Sequence, residues 1–132
     1  MDRRRRRIVL LAGVLGLLLA AAVAVTIRDV CWPNRLLVRN SSGAEILDVR
    51  VVLRDLEGSI RLEERVPRLP PGGERTFRHG LNDFRTDLRF VAEGAEREHL
   101  EEYVDLWRGE DWVLDVRSRG CVRSGYDRVT PD

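Results

Sequence analysis

Lysine is absent from the 132 residues, and the chain holds only two cysteines and two histidines. These shortages exclude several kinds of chemistry. A zinc ribbon needs close pairs of Cys or His, and neither Cys31 and Cys121 nor His79 and His99 are close in sequence. A zincin needs two histidines four apart on one helix, and that pattern is missing. No phosphate-binding Gly-rich loop with its lysine occurs, and no Gly-x-Ser-x-Gly elbow. His79 and His99 have Asp83, Asp87 and Glu98 near them in sequence. The spacing gives a metal little support, and solvated polar positions are the plainer reading. The acidic pairs Glu63-Glu64, Glu101-Glu102 and Glu110-Asp111 have arginines beside or near them, as on a solvated face. No catalytic residue, metal, cofactor or small-molecule substrate is therefore assigned. An enzyme with an unrecognised site, a small secreted or tethered hydrolase or metal-binding protein, stays as the alternative.

Charge of either sign is also missing from one long stretch. Ile8 to Ile27 carries none, and its one polar side chain is Thr26. Twenty residues at about 1.5 Å rise span about 30 Å, the thickness of a bilayer core. Arg3, Arg4, Arg5, Arg6 and Arg7 precede it directly. The expectation is a transmembrane signal anchor over 8–27, with the Arg-rich residues 1–7 in the cytoplasm and the remainder outside it. The rival is a cleaved signal peptide. Ala22-Val23-Ala24 satisfies the small-x-small cleavage pattern, but the apolar run exceeds the usual ~7–15 residues of a signal core. Asp29 and Val30 before Cys31 do not suit a lipoprotein. Trp32 follows at the depth where interfacial aromatics gather. Residues 28–33 form a short linker.

Without Asp2 and the five arginines, 18 arginines face 21 acidic residues, a net −3. Such a balance offers no reason to invoke nucleic acid. About a hundred residues suffice for one modest core. Cys31 and Cys121 bracket this domain, and outside the cytoplasm they are placed to form a disulfide; two unrelated thiols are the alternative.

The rest reads as short strands joined by turns. In "EILDVRVVLRD", Leu47, Val49, Val51 and Leu53 alternate with Asp48, Arg50 and Arg54. "SIRLEERV" places Ile60, Leu62 and Val66 inward, with Glu64 out of character on the apolar phase. Leu56-Glu57-Gly58 is a hairpin loop, and "NSSG" and "LPPGG" are turns. Asn40-Ser41-Ser42 is formally a glycosylation sequon but reads as turn chemistry. "DLRFV" and "DWVLDVR" continue the alternation. "REHLEEYVDLWRG" resists: Leu100, Tyr103, Val104 and Trp107 fall at helical spacing. The surrounding strands favour a strand there. Strands every 8–12 residues argue for an antiparallel β-sandwich over 34–123, followed by a tail over 124–132.

The order "RNSSG", "EILDVRVVLRD", "RLPPGGERTF" and "LRFVAEG" resembles small bacterial immunoglobulin-like modules of the fibronectin-III or CARDB kind. In those an Asn-x-Gly turn follows the first strand and a Pro-Gly-Glu turn introduces a middle one; Pro71-Gly72-Gly73-Glu74 has one glycine more. The resemblance implies an all-β, immunoglobulin-like sandwich of about seven strands and a spacer or adhesive role, with no catalytic residues. The functional expectation is a membrane-tethered module that binds or positions a protein partner in the cell envelope. Leu81, Phe84 and Trp107 lack an assigned core face, which marks them as partner-binding candidates at a strand edge or exposed face.

Overall fold

The computed structural model describes residues 2–31, 33–107 and 109–126, with backbone only for 28–31. The chain divides into two units, Met1–Trp32 and Pro33–Asp132. The first holds helix α1, Arg3–Cys31. Its segment Arg3–Ile27 is long and apolar enough to cross a membrane. Thr26, the one polar side chain of the apolar run, donates its hydroxyl to the Ala22 carbonyl at 2.9 Å. That bond satisfies the hydroxyl within the helix itself.

The second unit is built of strands. They are β1 Asn34–Asn40, β2 Ile46–Arg54, β3 Ile60–Leu69, β4 Glu74–His79, β5 Asp83–Ala92, β6 Ala95–Asp105, β7 Asp111–Val116 and β8 Val122–Tyr126. They form two four-stranded sheets, ordered β4-β1-β7-β8 and β3-β2-β5-β6. Leu36, Val38, Leu114 and Val116 of the first sheet join Val49, Val51, Leu53, Phe84, Leu88 and Phe90 of the second in one core. Each such side chain, fully buried, is worth about 1.5–3 kcal/mol of transfer free energy.

The expected strands are present, with four corrections. Among the described residues there are eight, because "VRSGY" forms β8 and carries the sheet to Tyr126, three residues into the expected tail. The sandwich is not wholly antiparallel: β1 and β7 pair in parallel, from Arg35 opposite Asp111 to Asn40 opposite Val116. Leu47 is 40% exposed, and Ile46 takes the core position instead. The cause is Asp48, whose φ of 53° accompanies a register shift against β5 between Leu47 and Arg50. The extra residue of such a bulge reverses the facing of everything before it. Ile60 is also exposed, beside a second irregularity at Leu53/Arg54.

The segment that looked helical is strand β6. Phe84 pairs with Val104 and Thr86 with Glu101, so one residue of β5 opposes two of β6. That bulge turns a period of two into a local step of three. Val104 thereby faces the core while Leu100 and Tyr103 stay outside. The apparent helical spacing is the imprint of a bulge.

The turns are held by side chains. Asn40 is fully buried and its amide nitrogen donates to the carbonyls of Ala44 and Leu69, at 2.8 and 2.9 Å. Its Oδ1 accepts from the backbone and the hydroxyl of Ser42. The sequon asparagine is thus spent on turn geometry. In "LPPGG" both glycines have a reason. Gly72 takes φ 73°, and a Cβ on Gly73 would stand 2.9 Å from the Pro70 carbonyl oxygen.

Candidate docking surface

The outer face of the β3-β2-β5-β6 sheet has two halves of opposite character. The first is charged. Arg50 donates from Nε to Glu63 at 3.1 Å, and Arg65 from Nε to Asp48 at 2.6 Å. Arg89 lies between Glu98, at 3.2 Å, and Asp87, at 3.3 Å. Asp48, Arg50, Glu63, Arg65, Arg89 and Glu98 line a shallow depression of about 750 Å³. Each exposed pair is worth about 0–1 kcal/mol. Their charges are mutually satisfied, so this half is a solvated lattice rather than a claim on a ligand.

The second half is apolar at its centre. Leu56, Leu100 and Tyr103 are exposed by 48%, 56% and 59%, and Val52 lies buried beneath them. With Arg54, Arg85 and Glu102 they line a depression of about 510 Å³. The β6 bulge creates this patch by keeping both Leu100 and Tyr103 outward. The Tyr103 hydroxyl donates to Asp83 at 3.0 Å, which raises its pKa and fixes the ring. Asp87, opposite Leu100, has its pKa raised first by burial and then by Glu98, against the opposing pull of Arg89. One Asp87 oxygen, Oδ1, is buried with no hydrogen-bond partner among the described residues. Exposed leucine and tyrosine over buried Val52 form a surface suited to a partner that brings apolar area.

Between β6 and β8 a small polar group sits inside the open side of the sandwich. Glu101 Oε1 lies 2.7 Å from His99 Nε2 and also accepts the Ser124 hydroxyl. The hydroxyl meets the carboxylate and not the imidazole, so this arrangement places no histidine base on a nucleophile. Among the described residues no group of three or more Cys, His, Asp or Glu is gathered as a metal site.

The candidates from sequence separate in space. Phe84 is fully buried, with its ring edge-on to His79 at a centroid distance of 4.8 Å. It is a core residue and offers no surface to a partner, because β5 alternation turns Phe84, Leu88 and Phe90 to one side. Leu81 packs partly buried against the same core. Trp107 is 77% exposed. Arg3 to Arg7 are exposed on the first turns of α1. Cys121 is an exposed free thiol; the Cys31 side chain and Trp32 lie outside the described residues, so the expected Cys31–Cys121 pairing is untouched by this geometry. Leu100 and Tyr103 were missed as surface residues. The available signal was the failed alternation in β6.

No protein-family model matches the chain, and no curated protein matches it. Among solved structures the chain is similar to the NMR structure of a protein from Eubacterium rectale. The TM-score is 0.52 at 11% identity, over 76% of this chain and 94% of that one. This is a likeness of fold, and fold alone does not carry function.

Proposed function

We propose that the protein is a single-pass, membrane-anchored β-sandwich exposed outside the cytoplasm, which binds or positions a protein partner in the cell envelope through the outer face of its β3-β2-β5-β6 sheet. The observation that carries this reading is the exposed patch of Leu56, Leu100 and Tyr103. The uncharged run after Arg3 to Arg7 supports the anchor and its orientation. The edge strand β6, eleven residues long, borders the patch and offers backbone donors and acceptors to an added strand. An immunoglobulin-like assignment in the broad sense rests on the two-sheet core and the turn order. The parallel β1–β7 pair is its main departure.

Leu100→Glu tests the reading. The tagged full chain, solubilised from its own membranes, should lose its specific co-purifying protein when Leu100 is Glu, while near-ultraviolet dichroism is unchanged. A Leu100→Glu chain that is folded and retains the same partner would refute it. The alternative, a small tethered hydrolase or metal-binding protein, has no observation in its favour beyond the His99–Glu101–Ser124 group.

A further inference from the structure

Among the described residues β3, β6, β4 and β8 are the end strands of the two sheets. An end strand leaves a row of N–H and C=O groups unpaired, and folds guard such edges. β3 is guarded. It carries Pro67, and Glu64 stands opposite the fully buried Val51, so a carboxylate lies on the core side of that strand. β4 and β8 are short, at six and five residues. β6 runs for eleven residues without proline or glycine. Side chains of β8 reach only its second half: Ser124 meets Glu101, and the Tyr126 hydroxyl donates to the Asp105 carbonyl at 2.7 Å. The stretch from Ala95 to Leu100 precedes these contacts.

The β5–β6 turn sets which backbone groups point out. Glu93 and Gly94 take φ of 53° and 73°, and Ala92 pairs with Ala95. In a two-residue hairpin of this kind the flanking residues form a hydrogen-bonded pair. Such pairs recur at every second residue, here at Phe90–Arg97 and Leu88–His99. The backbone N–H and C=O of Glu96, Glu98 and Leu100 therefore face away from β5. Their side chains share the outer face with the docking patch, because His99 stands opposite the buried Leu88 on the other side.

Charge says what fits this edge. From Ala95 to Asp105 five acids stand against Arg97 alone. A second copy is disfavoured. Two antiparallel β6 strands centred on Leu100 set Glu98 opposite Glu102, and centred on His99 they set Glu96 opposite Glu102. Glu98 is held by Arg89 at 3.2 Å, whereas Glu96 and Glu102 are exposed on either side of Leu100. A complementary strand brings an apolar side chain to Leu100 and Arg or Lys to Glu96 and Glu102.

We propose that the outward edge of β6, from Glu96 to Leu100, takes an extended basic segment of a protein partner as an added strand. The proposal rests on the docking face above and names the kind of segment that face binds. The full chain, in detergent, is used to select from a displayed library of random peptides about ten residues long. Enriched peptides are expected to alternate Arg or Lys with apolar residues. Their binding should weaken about tenfold or more in a chain carrying Glu96→Arg and Glu102→Arg, and by a similar factor in Glu98→Pro. That proline removes one outward N–H and spares the ladder to β5. Glu98→Gln, which loses the charge and keeps the N–H, should bind as before. Near-ultraviolet dichroism confirms each fold. Three results would overturn the proposal: a selection without basic peptides, unchanged binding in the charge-reversed chain, or a folded Glu98→Pro chain that binds as tightly as Glu98→Gln. Partner capture by the Leu100→Glu chain is a separate readout. Loss of the partner there beside a failed selection leaves the docking face intact, and a partner retained there overturns both.

Discussion

His79 ties the stability of the sandwich to pH. The ring is buried at the end of β4, beside Phe84, and its Nδ1 accepts the Leu81 N–H at 3.2 Å. Nε2 is buried without a partner among the described residues. Burial lowers the pKa from 6.5 to about 4. The sign follows from proton uptake. Between 6.5 and 4 the unfolded chain binds a proton that the folded chain refuses, so stability is complete above 6.5 and falls as pH falls through this window. The slope approaches about 1.4 kcal/mol per pH unit, and the total is at most about 3 kcal/mol. Below 4 the folded form protonates as well and the contribution levels off. Denaturant unfolding of the full chain in detergent, followed by near-ultraviolet dichroism from pH 7.5 to 4, reads the slope. His79→Gln, which keeps an acceptor and does not titrate, should flatten it by about that amount. Parallel curves for the two proteins, or an imidazole midpoint near 6.5 by NMR, would show that the ring is not desolvated in the fold.

Four further outcomes are expected. Phe84→Ala should destabilise the sandwich by about 3–5 kcal/mol, read from the denaturant midpoint, because it empties a fully buried ring site. Asn40→Ala should cost about 1–3 kcal/mol in the same assay, since it removes the buried donor to the Leu69 carbonyl and the acceptor of Ser42 N–H. Mass spectrometry of the mature protein should find peptides N-terminal to Ala24; a chain that begins at Val25 contradicts the anchor. Non-reducing peptide mapping of protein from its native compartment should join Cys31 to Cys121, and two alkylatable thiols contradict that bridge.

Strand content was legible where alternation was unbroken. Leu88 and Phe90 on β5, and Trp112, Leu114 and Val116 on β7, kept the facing that a period of two assigns. Legibility failed at the bulges. Asp48 and the Glu102–Tyr103 pair each insert one residue, and composition marks neither. An Asp at φ 53° looks like any outward-facing Asp, yet it exchanged Leu47 for Ile46 in the core. The parallel partnership of β1 with β7 was equally hidden. It joins Arg35 to Asp111 by a bidentate ion pair across 76 positions, and nothing local to either strand encodes that choice. The docking patch was lost for the same reason as the β6 assignment was difficult. Leu100 and Tyr103 were weighed as members of a helical stripe, when their spacing was the bulge that holds them outside. Phe84 erred in the opposite direction. The irregular connection before it, "GLN", obscured that β5 begins at Asp83 and that the ring has a core phase.

The central claim is that a partner is met on the outer face of the β3-β2-β5-β6 sheet. Photo-crosslinking in intact cells, from a reactive residue placed singly at Leu100, Tyr103 or Thr76, tests it most directly. Thr76 lies exposed on β4 of the other sheet. The account predicts one discrete protein adduct shared by positions 100 and 103 and absent from 76. No adduct at 100 and 103, or the same adduct at all three, would contradict it.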